Sequence, residues 1–354
     1  MSDDAARTGD EGVPDALVDE GVPDAAVRWF TDHVPGITGE IGFRRIAGGR
    51  SNLTYRVTDA AGSTWALRRP PLGGVLETAH DMGREWRFLS ALAPTSVPVP
   101  TPVAFCDDHD VAGADFYVMD FAPGRVLGDR ADGERIPEDA RPRVGESTID
   151  VLVALHGVDP TEVGLDDLAR PGNFVARQLK RWHRQAHSSS IEDLSAIDAA
   201  HEALSARVPE GATGIVHGDF RPGNVSYAED GRAVAVFDWE LATIGDPLCD
   251  LGHLLVSWTE PGDDVPPALA GPTPAGGYAT RGEMIERYVA GTGGTGPDVA
   301  FYMAFARWRA ACIHAGVWTR YTAGDMGADA DPDEVMGPDA IAEQARASLA
   351  QLEG

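Results

Sequence analysis

The sequence predicts an α+β fold in two lobes, a small β-rich lobe followed by a larger, mainly helical one. Three observations carry this. Between Ile41 and Phe121, five short segments rich in β-branched and aromatic residues surround a single helical stretch. Beyond Pro123–Gly124, apolar residues recur at helical spacing over long runs. The length, 354 residues, is enough for two separate cores.

The first twenty or so residues read as a mobile, acidic tail. They carry a short duplication, EGVPDA at 11–16 and again at 20–25, too few copies for a repeat fold. In the second copy Pro23–Asp24 opens a helix, AAVRWFTDHV. IGFRRI, LTYRVTD and STWALRR then read as three strands. Gly48–Gly49 separate the first two, and Ala61–Gly62 turn the second into the third. A helix is expected near HDMGREWRFLSAL, and Pro94, Pro98, Pro100 and Pro102 stop it. VAFC and DFYVMDF supply two more strands. Helical spacing returns in RVGESTIDVLVALHGV, FVARQLKRW and FYMAFARWRAACIHAGVW. Two short strands sit between, around Val225–Tyr227 and Val234–Asp238, while 260–277 and 322–338 read as loops. The expected organisation is a tail and helix over 1–37, a first lobe over 38–121 and a second over 122–354.

Composition excludes several classes of protein. The net charge is −27 and Lys180 is the only lysine, so the surface repels nucleic-acid phosphates and no nucleic-acid partner is expected. The acid is spread along the whole chain. It reads first as a solvated, salt-adapted surface, and alternatively as a field that attracts a cationic substrate. No run approaches the roughly 18 apolar residues of a membrane span, so no membrane partner is expected. MSDDAARTGDEG lacks the apolar core of a signal peptide, which points to the cytoplasm. Cys106, Cys249 and Cys312 are odd in number and widely spaced, as suits small buried hydrophobes rather than a disulfide framework or zinc site. Nothing in the sequence reads out oligomeric state.

The most informative stretch is IVHGDFRPGNV, 215–225. Asp219 and Asn224 stand five residues apart, and Asp238 follows in AVFDWE. Phosphoryl transfer asks a protein for bridging metal ions, an aligned acceptor hydroxyl and a carboxylate beside it. Asp219 suits the carboxylate. Asn224 offers a neutral oxygen and Asp238 a charged one, both hard ligands matched to Mg²⁺. Singly, each reads as a turn or cap residue. In this order, after a β-rich lobe, they point to catalysis.

HGD-x4-N followed by DWE resembles the aminoglycoside phosphotransferase and choline-kinase-like family, a variant of the protein-kinase loop H-R-D-x4-N with its downstream D-F-G. The likeness covers about residues 38–325. It includes IAGGRSNLTYRV, WALRRPP, GREWRFLSAL, FYVMDFAPG, ALHGVD and DWELATIGDPLCDLGHLL, and it is nearest to kinase-like domains fused to some acyl-CoA dehydrogenases. The resemblance implies a bilobal protein-kinase-like fold and an ATP- and Mg²⁺-dependent kinase acting on a small hydroxylated molecule, with Asp219 as catalytic base. It also implies Asn224 and Asp238 as metal ligands. Gly48, Gly49, Ser51 and Asn52 would cover the phosphates. Arg68 would stand where the family has a phosphate-binding lysine, paired with Glu85, and Arg69 is the alternative. Met119 would back the adenine, with the backbone of Asp120 and Ala122 bonding it. His217 would prop the loop, His156 has a structural reading, and Asp246 and Asp250 would fix the metal loop through backbone groups.

Two rival classes stand beside this reading. One is a nucleotide-binding pseudokinase, which Arg68 supports and the intact Asp219, Asn224 and Asp238 oppose. The other is a protein kinase, which lacks its G-x-G-x-x-G and A-P-E segments here. For the acceptor, Phe220 and Arg221 beside the loop offer an aromatic and a cation. On the helix near 301–318, Arg309 shares a face with Cys312 and Ile313. Arg221 and Arg309 are thus candidate contacts for a neutral or anionic acceptor with an apolar part, such as a hydroxyacyl thioester. Arg309 reads alternatively as the structural partner of a carboxylate.

Overall fold

The structure is a computed structural model describing residues 24–46, 52–71, 81–263, 271–293, 298–324 and 335–353. Gly48, Gly49 and Ser51 lie outside the described residues. The chain divides into two compact units. The first runs to Trp86 and takes in Thr101–Phe121; the second holds Arg87–Pro100 and everything from Ala122 onward.

The first unit is an antiparallel sheet with a helix packed on it. Its elements are α1 (Asp24–His33), β1 (Ile41–Ile46), β2 (Leu53–Asp59), β3 (Thr64–Arg69), the first turn of α2 (Met82–Leu92), β4 (Pro102–Cys106), α3 (His109–Ala112) and β5 (Phe116–Asp120). The strand order is β1-β2-β3-β5-β4. Alternation in β3 sends Trp65 and Leu67 into the core, where they meet Phe43, Tyr55, Val57 and Val118. Phe30 of α1 closes this core, 5.8 Å from the Phe43 ring and 5.9 Å from that of Trp65, both edge-on. Burying such a ring stabilises by about 2–3 kcal/mol, which is why α1 belongs to the sheet rather than to the acidic tail. Asp59 ends β2 by accepting from the Thr38, Ala61 and Ser63 amides, which fixes the β2–β3 turn.

The second unit is mainly helical. After β6 (Arg125–Val126) and α4 (Arg130–Glu134) come α5 (Arg141–His156), α6 (Phe174–His187) and α7 (Ser195–Ser205). Four short strands follow: β7 (Gly214–Val216), β8 (Val225–Tyr227), β9 (Ala233–Val236) and β10 (Thr243–Gly245). The chain then runs through α8 (Leu248–Ser257), α9 (Arg281–Thr292), α10 (Val299–Ala323) and α11 (Pro338–Glu353). β7 pairs with β10, and β6-β8-β9 form the other small sheet. One core gathers α5, α8, α9 and the strands; a second gathers α6, α7, α10 and α11. Caps mark the helix starts: Asn173 Oδ1 accepts from the Ala176 amide at 2.9 Å, and Thr280 with Glu283 makes a capping box on α9. A Cβ at Gly252 of α8 would come within 2.5 Å of Tyr302 backbone, so that glycine lets α8 and α10 touch. The three cysteines are free and buried. No helix among the described residues is long and apolar enough to cross a membrane.

Candidate active site

In the first unit the chemistry centres on Glu85. Its carboxylate is buried and surrounded by donors. Arg68 Nε and Tyr117 Oη each donate to Oε2 at 2.8 Å, and Asn52 Nδ2 donates to Oε1 at 2.8 Å. A carboxylate removed from water needs such partners, and removing one costs about 3–5 kcal/mol. Arg68 is the arginine that makes the pair. Arg69, on the opposite face of β3, is buried, which pulls its basicity down. Asn52 is 2% exposed and its amide nitrogen donates to Glu85, so it helps orient the carboxylate. Tyr117 belongs to the same cluster and was not singled out in the sequence. Met119 is buried at the end of β5. The Asp120 amide donates to Thr101 O at 2.9 Å, so that N–H is already engaged. Ala122 follows two residues on, half-buried.

In the second unit the loop between β7 and β8 carries Asp219. Gly218 has φ 88°, and a Cβ there would meet Leu241 O at 2.8 Å, so the loop requires glycine at this point. Asp250 of α8 grips the loop from below: Oδ2 accepts from the His217 amide at 2.6 Å and Oδ1 from the Gly218 amide at 2.8 Å. Burial pushes the Asp250 carboxyl up, but His156, His217 and the Gly218 amide outweigh it and hold it below the ordinary range. His217 donates from Nε2 to Phe237 O at 2.8 Å and accepts at Nδ1 from the Asp219 amide at 3.2 Å, so it props the loop. Asp250 therefore fixes the Asp219 loop, not the segment around Asp238 as expected. Asp246 accepts from Tyr302 Oη at 2.6 Å and from the Leu248 amide at 3.2 Å, and burial raises its proton affinity.

Asp219 is held by three side chains. His253 Nε2 donates to Oδ1 at 2.9 Å, Asn224 Nδ2 to Oδ2 at 2.8 Å, and Arg221 Nε to Oδ2 at 3.3 Å. Burial raises its proton affinity, but the His253 bond and charge, with Arg221 and His217, reverse the sign and hold the carboxyl well below the usual range. Asp219 is an ionised carboxylate in a fixed orientation. His253 was not legible as part of this group: it lies on α8, three residues beyond Asp250 and one helical turn along the same face.

Asn224 precedes β8 and Asp238 follows β9, so the β8–β9 hairpin brings both to one end, and the Phe237 amide donates to Asn224 O at 2.8 Å. Asp238 is the one non-glycine residue with positive φ among the described residues, at φ 66° and ψ 59°. That conformation costs of order 1–3 kcal/mol and persists where the surrounding structure over-determines the backbone. With Asn224 Nδ2 turned to Asp219, the side-chain oxygen of Asn224 is the atom left to face a cation. A carboxylate and an amide oxygen are the hard donors that suit Mg²⁺.

Two expected acceptor contacts are placed differently. Phe220 is fully buried in the core with β8 and Trp239, so it presents no ring to a ligand. Arg309 donates from Nη2 to Gly218 O at 2.6 Å, and its guanidinium lies over the Trp182 ring, 5.6 Å from the centroid. It braces the loop and is itself half-buried. Arg221 is 43% exposed and stays beside Asp219.

The fold and this loop define a kinase-like phosphotransferase. Residues 42–301 match the family model described as "Phosphotransferase enzyme family", and the chain belongs to that family. It is 33% identical over 300 residues to "Probable acyl-CoA dehydrogenase IBR3" of Arabidopsis thaliana, covering 79% of this chain. It spans only 36% of that relative's length. A solved Ralstonia eutropha JMP134 structure, described as a "putative aminoglycoside phosphotransferase", superposes with TM-score 0.77 at 32% identity, covering 93% of this chain and 98% of that one. The GDP and kanamycin complex of an APH(2″) enzyme shares the fold at TM-score 0.59 and 15% identity, covering 91% and 96%.

Proposed function

We propose that the protein transfers the γ-phosphoryl group of ATP to a hydroxyl of a small molecule, with Asp219 as the base toward that hydroxyl. The observation that carries this is the triply held, ionised Asp219 in a loop shared with Asn224. Arg68, oriented by Glu85, is the phosphate-binding cation, and Gly49 and Ser51 add backbone and hydroxyl donors. Met119 and the backbone of Asp120 and Ala122 receive adenine. Asn224 and Asp238 would hold Mg²⁺, which when bound neutralises charge on the phosphates.

For the acceptor we propose a neutral or anionic molecule with an apolar part, of the hydroxyacyl-thioester kind. Arg221 beside Asp219 favours it, and so does likeness to a chain named as an acyl-CoA dehydrogenase. The net charge of −27 favours the alternative, a polycationic aminoglycoside, and a kanamycin complex exists for a protein of the same fold. The purified protein, offered kanamycin, choline and 4-hydroxyacyl-CoA with Mg·ATP under identical conditions, should phosphorylate the thioester preferentially. Preference for kanamycin would reject the acceptor assignment. Absence of ATP turnover across a wider library of hydroxylated metabolites would leave a pseudokinase.

A further inference from the structure

We propose that His183, His187 and Asp198 form a binding site for a divalent transition-metal ion of the zinc class, built on α6 and α7 and distinct from the residues around Asp219. His183 and His187 are four residues apart on α6, which puts both imidazoles on one face, the spacing by which a helix offers two nitrogens to one ion. Asp198 comes from the first turn of α7. Both Nε2 atoms point at the same carboxylate oxygen, at 2.8 and 2.7 Å from Asp198 Oδ1. The three donor atoms lie within 4.8 Å of one another. Around a tetrahedral ion with bonds of about 2.0–2.1 Å, ligand atoms sit about 3.3 Å apart. Small side-chain rotations open the cluster that far, and the side chains are free to make them: they are 28%, 46% and 46% exposed.

The donor set decides the class of ion. Two imidazoles and one carboxylate suit Zn²⁺, Co²⁺ or Ni²⁺, whereas Mg²⁺ prefers oxygen alone. Three protein ligands leave a fourth tetrahedral position to water. A backing layer is present. The His201 ring stacks on that of His183 at 4.0 Å and 17°, too parallel to chelate, and lies 5.7 Å from the Trp308 ring. The His201 ring thus supports His183 from behind.

The test uses the full chain after treatment with a chelator. Calorimetry with ZnCl₂ should show one ion per chain. Co²⁺ should bind at the same site, give the visible absorption of a nitrogen- and oxygen-ligated ion, and be displaced by Zn²⁺ but not by millimolar Mg²⁺. His187→Ala and Asp198→Asn should each weaken Zn²⁺ at least about tenfold, by comparison with the loss from merely outer-shell changes. Both positions are half exposed, and circular dichroism would verify folding. Asp238→Ala should leave this binding unchanged. Equal Zn²⁺ affinity in the wild type and His187→Ala, no binding to the wild type, or loss confined to Asp238→Ala would each overturn the proposal.

Discussion

Replacing His253 tests how Asp219 is held. Among the described residues His253 is the only side chain bonding Asp219 Oδ1, at 2.9 Å, while Asn224 and Arg221 hold Oδ2. A hydrogen bond to a charged group contributes about 1.5–3 kcal/mol. If that energy fixes the carboxylate for transfer, its loss in His253→Ala appears in the barrier as a fall in kcat of about 13- to 160-fold, at 1.36 kcal/mol per tenfold. The KM for Mg·ATP should stay within a few-fold, because His253 acts through Asp219 and not on nucleotide. His253→Gln, whose amide Nε2 can reach the same oxygen, should recover most of the loss. The pH profile should move as well. His253 is the largest of the influences lowering Asp219's proton affinity, so its removal raises that pKa and shifts the acid limb of kcat/KM to higher pH. Steady-state kinetics of the three proteins from pH 4 to 8 provide the readout. An unchanged kcat in His253→Ala, or a Gln variant no better than Ala, would refute this positioning role.

Three further outcomes are expected. Asp219→Ala should abolish transfer while leaving Mg·ATP affinity within a few-fold by calorimetry; near-normal turnover would remove it as the base. Asp238→Ala should erase the Mg²⁺ dependence of ATP binding in the same measurement, and a preserved difference with and without Mg²⁺ would remove it as a ligand. Asp250 has a depressed folded pKa, so its contribution to stability is present above the unfolded value of about 3.9 and is lost as pH falls through the folded one. The Tm of Asp250→Asn should therefore lie furthest below wild type above about pH 5, and the gap should close on acidification below about pH 4; a gap constant across that window would contradict the charge argument.

The strands of the first unit are legible because their signals are local. Alternation in IGFRRI, LTYRVTD and STWALRR, with punctuation by glycine and proline, matches β1, β2 and β3 within a residue or so. Six helices among the described residues, α3, α4, α7, α8, α9 and α11, carry no such signal. The buried face of α8 includes Cys249, Asp250, Gly252 and Leu254, a mixture without a clean amphipathic period, and β7 and β10 are three residues each, too short to alternate. The site divides in the same way. Asp219 and Asn224 touch because one short loop carries both. His253 reaches Asp219 only through the docking of α8, 34 residues further along the chain. Periodicity placed Arg309 on a face with Cys312 but could not say what that face meets, and the answer is Gly218 O and Trp182. The bond from Asn52 to Glu85 is hidden for the same reason, since the two lie 33 residues apart on different elements.

An Asp219 carboxyl with so low a proton affinity is a poor permanent home for a proton, yet this suits phosphoryl transfer. In a loose transition state the acceptor oxygen forms little bond before the leaving group departs, so its proton is lost late and a strong base is not required. What is required is an ionised carboxylate in one orientation, and the donors around Asp219 enforce both. With Asp219 as the proposed base, they would also restrict where a hydroxyl can dock. Oδ2 accepts two bonds, from Asn224 and Arg221, whereas Oδ1 accepts one, from His253, and keeps a lone pair for a hydroxyl. Arg221 makes the longest of the three bonds, at 3.3 Å, and is the most exposed of the residues around Asp219. It is the donor that can leave at least cost to meet an anionic acceptor. On that reasoning Arg221→Gln should raise the KM of a thioester acceptor well before it lowers kcat, and a purely catalytic loss with KM unchanged would place Arg221 with the residues that hold Asp219 instead.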